Sequence, residues 1–366
     1  MRPPLAALLA LALPAGGLAV EDGPLGLGTP GALRGLFLEM PLADARGTGA
    51  GALDLRWWMA NDWSVPTRLT RGDRAVWVQD DAQADVLQAA LTLPWAGLFP
   101  GPGFARVEST AVLRVTERWG GWTDAGIEAW HRLIGSWNFQ RELYRRNVVG
   151  VTLAEEGGAT LIQLHHPAPA LSDLVLRTAI RLAEGAPVGA RVPWALAARV
   201  DLKLPTGVGP AGGSGGVDGG LGLGVAWAPT PWLTVHGLAS ARAVSALPQG
   251  FPMRVRPLQA GLDLSVVVRG LGPVALVVED RVSSPLFESG WSLGAVKEPE
   301  ATAYYSLFRA YNQISGGVRI GGVTVFFSED FTPGRRATGD PGPNWFYNSN
   351  APDVVLGVSW ARKLGR

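Results

Sequence analysis

The sequence has no cysteine in 366 residues, which excludes disulfides, thiolate metal sites and cysteine nucleophiles. Histidine is scarce: of the four, His165 and His166 are adjacent, so on a strand they point to opposite faces and cannot jointly hold a metal. No metal site and no cofactor is expected. Charged residues make up only 17% of the chain, and 32 Lys plus Arg face 31 Asp plus Glu. No long-range field therefore recruits nucleic acid. Past the N-terminus no apolar run reaches the roughly 20 residues of a spanning helix. The Gly-rich stretch 207–224 lacks the Lys-Ser/Thr ending of a phosphate loop, and no nucleophile elbow occurs. An enzyme is not expected; a membrane-embedded hydrolase using Ser240 and His236, which share a face at spacing four, is the trailing reading.

What is abundant is glycine (49), proline (28) and tryptophan (15). Tryptophan in such excess suits membrane interfaces. The N-terminus "MRPPLAALLALALPAGGLAVED" has a basic start at Arg2, an apolar stretch from Leu5 to Leu13, and small residues before Glu21 and Asp22. It reads as a secretory signal peptide, residues 1–19.

Alternation with period two recurs along the rest of the chain in pieces long enough for a tilted strand to cross a bilayer. In 53–59, Leu53, Leu55, Trp57 and Met59 alternate with Asp54, Arg56 and Trp58. In 107–116, Ala111, Leu113 and Val115 oppose Glu108, Thr110, Arg114 and Thr116. Similar pieces lie at 84–94, 147–154, 159–166, 173–182, 195–204, 219–228, 231–242, 256–269, 273–282, 313–320, 323–330 and 352–361. The fold expected is all-β: an antiparallel transmembrane β-barrel of about fourteen strands, within a range of twelve to sixteen, over residues 51–366. Tight links at 155–158, 229–231, 269–273 and 321–322 alternate with long ones at 118–146, 204–218, 282–311 and 331–351, the asymmetry of periplasmic turns and external loops.

Alternation alone fits a soluble sandwich equally well. Strand length, Trp119, Trp194, Trp227, Trp232 and Trp360 near strand ends, and the export signal favour the inverted arrangement. Val200 and Leu202 then face lipid. The lumen-lining candidates are Arg177, Arg181, Arg199, Asp201, Lys203, Asp263, Glu279 and Arg281, either setting permeation selectivity or bracing the barrel through salt bridges. One segment departs from strand character: 123–135 spaces Ile127, Trp130, Leu133 and Ile134 at helical intervals. This loop helix either folds over the mouth, touches the lipid interface or packs its own loop. The N-terminal segment 20–50 is a candidate lumen plug. Its Leu36, Phe37 and Leu38 need shelter from water, and Arg34, the fourth plug candidate, is expected to find an acidic wall residue such as Asp263 or Glu279.

Several stretches, "GIEAWHRLIG", "LSDLVLRTAIRL", "LKLPTG" with "GGSGGVDGGLGLG", "VVEDRVSSP" and "FSEDFTPG", resemble in that order a bacterial outer-membrane family catalogued as domain of unknown function 3187. The Leu-Pro-Thr-Gly turn is also similar to outer-membrane proteins associated with phenol degradation. The resemblance implies an outer-membrane barrel of a Gram-negative bacterium, in contact with outer-membrane lipid, lipopolysaccharide and the barrel-assembly machinery, and carries over no catalytic residue. The function expected is passive passage of a small-molecule solute. The competing reading is a closed structural or assembly barrel.

Overall fold

The computed structural model describes residues 23–29, 31–47, 49–99, 101–134, 141–185, 193–293, 307–331 and 354–364. The expected signal peptide lies outside them. The strands in chain order are β1 (Ala52–Asp62), β2 (Thr67–Arg71), β3 (Arg74–Pro94), β4 (Val107–Trp119), β5 (Gly150–Glu155), β6 (Thr160–Leu164), β7 (Ala168–Leu171), β8 (Leu174–Glu184), β9 (Trp194–Leu204), β10 (Asp218–Thr230), β11 (Leu233–Ala243), β12 (Leu258–Leu271), β13 (Val274–Ser283), β14 (Tyr311–Ile320), β15 (Val323–Asp330) and β16 (Val354–Lys363). Twelve of them close an antiparallel barrel: β1, β3, β4 and β8 to β16, with β16 returning to pair with β1. Closure removes every edge, which a sheet in lipid requires.

The four remaining strands stand outside the wall. β3 is 21 residues long; its second half, from Ala82, pairs with β1 and β4, while 74–81 continues outward between β2 and β5, and β6 adds to β5. The pieces at 147–154 and 159–166 therefore alternate because they form a small external sheet, which is why the wall has twelve strands. For the same reason the link at 155–158 joins β5 to β6 on the external side and is not a periplasmic turn. The turns 231–232, 272–273 and 321–322 are tight at one end, but longer links join β3 to β4 and β8 to β9 at that same end; the other long connections of the wall stand opposite.

Register fixes which side chains share a face. Leu176 opposite Leu202, Val200 opposite Leu221, and Val318 opposite Val325 point outward. Leu221 is 65% and Val325 60% exposed. A continuous apolar belt of this kind belongs in hydrocarbon. Trp194 and Trp227 stand directly opposite each other at the short-turn end, with Trp232 exposed beside that rim, in the manner of an aromatic girdle.

The helix α1 (Asp124–Ile134) lies against the outside of the wall at the external rim. Trp130 meets Phe327 edge-on at 5.3 Å and donates through Nε1 to Glu329 at 2.7 Å. His131 is 3.1 Å from the same carboxylate. Phe327 and Glu329 share the outward face with Val325. Leu133 stays 78% exposed. The helix does not fold over the mouth; it lies on the outside of the rim and packs its own loop, with Arg141 on Asp124 and Arg146 on Glu128.

Above the mouth, Leu69, Val76, Val78, Leu153, Ile162, Met253, Leu286, Phe287 and Trp291 build a buried apolar cluster. The external sheet and loops thus form a conventional core outside the membrane. Leu33, Leu36 and Phe37 of the N-terminal segment belong to that same cluster.

Candidate functional site

The barrel interior is occupied by residues 23–47. An extended chain buried in a barrel carries polar N–H and C=O groups with no ladder of its own, and each needs a partner. The wall supplies them. On the first limb, Arg319 donates to the carbonyl of Gly23 at 2.9 Å and Arg56 to those of Leu25 and Gly26. Gly26 N–H donates to Glu279 at 3.0 Å, and Arg281 donates to the carbonyl of Leu27 at 3.0 Å. The tip includes a short 3-10 turn (Arg34–Leu36), where Ala32 N–H donates to Asp80 at 3.1 Å. Burial pushes the Asp80 carboxyl above its ordinary pKa, against the pull of Arg118. On the returning limb Leu38 N–H donates to Asp218 at 2.8 Å, Arg199 donates to the carbonyl of Pro41, and Arg181 to that of Arg46 at 3.0 Å.

The glycines of β10 make this packing possible. A Cβ on Gly220 would stand 2.3 Å from the sulfur of Met40 and 3.2 Å from Leu38. The strand faces inward at Gly220, Gly222 and Gly224, so the wall is thinnest where the returning limb presses against it.

All eight candidate wall residues face inward by register. Arg199 holds Asp201 through Nε at 2.7 Å and through Nη2. Arg177 reaches the same carboxylate at 3.5 Å. Lys203 donates to Asp173 at 2.6 Å, to Ser214 at 2.8 Å and to the Gly216 carbonyl at 3.0 Å, and lies 3.3 Å from Asp218. Arg281 is 3.5 Å from Asp263 and 3.7 Å from Glu39. Arg181 pairs with Glu184 at 3.2 Å. Most of these charges brace one another, and several of the same groups also hold the N-terminal segment.

Arg34 corrects its expected partner. It does not pair with Asp263 or Glu279 but stands at the external end, its guanidinium 4.9 Å over the Tyr311 ring and donating to the carbonyl of Arg309 at 3.5 Å. The segment crosses the whole lumen before turning, which carries Arg34 past those acids. Ser240 and His236 do not form a catalytic pair. Ser240 donates to the Gly261 carbonyl at 3.4 Å and His236 lies 3.8 Å from Asp44, and four residues at about 3.3 Å rise along a strand keep the two apart.

Arg56, Arg114, Arg319, Glu39, Asp44 and Asp218 belong to this interior but stand outside the candidate set. For Arg56 and Arg114 the signal is the alternation already noted in 53–59 and 107–116. Glu39 and Asp44 sit in a segment without periodicity, so no face can be assigned to them from sequence.

Cavities remain beside the segment, and two of them reach Arg177. One, of about 180 Å³, opens among Pro24, Asp44, Asp54, Arg56, Arg177 and Arg319. A smaller one, of about 30 Å³, lies toward the external side among Phe37, Glu39, Arg114, Asp173, Arg177 and Lys203.

No family model and no curated protein matches the chain, so its likeness to the family of unknown function rests on the quoted motifs alone. Solved structures similar to it include the COG4313 outer membrane channel from Pseudomonas putida F1, with 11% identity and TM-score 0.49, covering 88% of this chain and 97% of that one. A Pseudomonas aeruginosa FadL homologue aligns at 8% identity and TM-score 0.38 over 96% of this chain and 100% of its own. The P. putida toluene transporter TodX aligns at 8% identity and TM-score 0.33, over 88% and 92%.

Proposed function

We propose that this chain is an outer-membrane channel for passive passage of small solutes, held shut in the present state by residues 23–47 acting as a plug. The observation that carries the reading is the manner of attachment. Among the described residues the segment is fixed by side-chain to backbone hydrogen bonds and by contacts with the wall and forms no ladder with the wall strands, and cavities with charged groups in their lining remain alongside it. A barrel of about eight strands is filled by its own side chains and has no separate segment to release.

The test is to delete residues 25–46, leaving Gly23 and Pro24 joined to Gly47, and to record conductance in planar bilayers. The deletion is expected to assemble into a barrel that shifts with heating on gels and to raise the conductance. The competing structural reading is favoured by the apolar cluster that covers the mouth. A correctly folded deletion variant that passes no more current than the wild type decides for it.

A further inference from the structure

We infer that Arg177 is the anion-recognising point of a conduit running beside the plug along β4 and β8, and that the solutes it favours are small anions of the monocarboxylate class. Arg177 is the residue that lines both the larger cavity and the smaller external one. Below it, Thr110 and Glu108 face the larger cavity; above it, Val112, Arg114 and Val175 face the smaller. The register places Thr110 opposite Arg177 and Val112 opposite Val175, so the two cavities follow the same pair of strands and meet at one guanidinium.

The charge count at that point is uneven. Arg177 and Arg199 share one carboxylate, Asp201, and Arg199 already occupies both of its oxygens. Arg177 Nε has no hydrogen-bond partner. Arg114 and Arg56 stand within electrostatic reach of it. The acids nearest these two are committed: Asp54 holds Arg56 bidentately, with Nε at 2.9 Å and Nη2 at 2.7 Å. Glu39 is divided between the Thr29 amide, Arg281 and Arg114. Two guanidiniums thus share one carboxylate at this point, with Arg56 and Arg114 nearby on carboxylates of their own and a cavity on each side of Arg177.

A guanidinium removed from bulk water and left without a full set of acceptors binds an anion in preference to a cation or a neutral solute. Its planar fork matches a carboxylate through two parallel N–H donors. Chloride satisfies the same charge without that geometry. The conducting part of this inference rests on the channel reading; the binding site itself does not.

Two measurements separate them. Chlorine NMR line broadening on detergent-solubilised full-length protein is expected to report chloride binding that acetate displaces. Arg177→Gln should abolish most of the broadening and Arg177→Lys should retain part of it. In planar bilayers under a KCl gradient, the reversal potential is expected on the chloride side, with the chloride-to-potassium permeability ratio falling several-fold in Arg177→Gln. Broadening that survives Arg177→Gln in a folded protein overturns the site. Current with cation preference, or anion preference indifferent to residue 177, overturns its role in selectivity. Absence of current both with and without residues 25–46 overturns the channel reading instead, while the NMR result still stands or falls alone.

Discussion

Lys203→Met is the sharpest test of how the interior is held. Its ammonium is almost wholly buried and satisfies two acids, Asp173 and Asp218, together with Ser214 and the Gly216 carbonyl. Methionine keeps much of the length of the side chain and removes only the charge and the donors. Breaking a buried ion pair by removing one partner costs about 3–5 kcal/mol, because the stranded charge remains. Here the lower end applies. Asp218 keeps the amides of Leu38 and Ser245, and Asp173 keeps that of Gly207, so about 3 kcal/mol is expected. Urea unfolding in lipid vesicles, followed by tryptophan fluorescence, measures it. Because Asp218 holds Leu38 and Ser214 N–H donates to the Leu36 carbonyl, the same change should loosen the tip of the plug and raise conductance. Neutralising both carboxylates in the Lys203→Met background, with Asp173→Asn and Asp218→Asn, should recover a large part of the loss. A Lys203→Met variant within about 1 kcal/mol of the wild type, well below the buried-pair range, refutes the reasoning.

Three further outcomes follow from the geometry. Leu276→Arg, in the apolar belt, should cost about 2–4 kcal/mol in vesicles, whereas the same change at exposed Val208 in an external loop should cost little; equal costs would take the bilayer out of the account. Gly220→Leu should drive Met40 from its seat and increase conductance, and adding Met40→Ala should restore the closed state; no change in current on Gly220→Leu would mean that the limb is not pressed against β10. Asp81 lies in the part of β3 outside the wall, and burial, with Asp124 and Asp80 nearby, pushes its carboxyl up to about 8 in spite of Arg141. The folded state therefore binds more protons than the unfolded one between about pH 4 and that value, so stability falls as pH rises across this window and levels off above it. Asp81→Asn should flatten the profile of urea midpoint against pH; an unchanged slope would assign the dependence to another group.

The sequence by itself determined the barrel and its inside-out faces. Period-two alternation is a local property, so Leu176, Val200 and Leu202 could be separated from Arg177, Arg199 and Asp201 without knowing any partner strand. It also located the α-helix inside the long connection at 118–146. It could not tell a wall strand from a strand of the external sheet, since β5 and β6 alternate for the same physical reason as β8 and β9; only pairing distinguishes them. Nor could it locate residues 23–47. An aperiodic segment offers no face, and its position depends on guanidiniums and carboxylates drawn from β1, β8, β9, β10, β13 and β14, brought to one lumen only when the sheet closes. The glycines of β10 are the clearest case. In the sequence they read as a Gly-rich stretch that is not a phosphate loop, and what they make room for appears only when Met40, 180 residues away along the chain, comes to rest against Gly220.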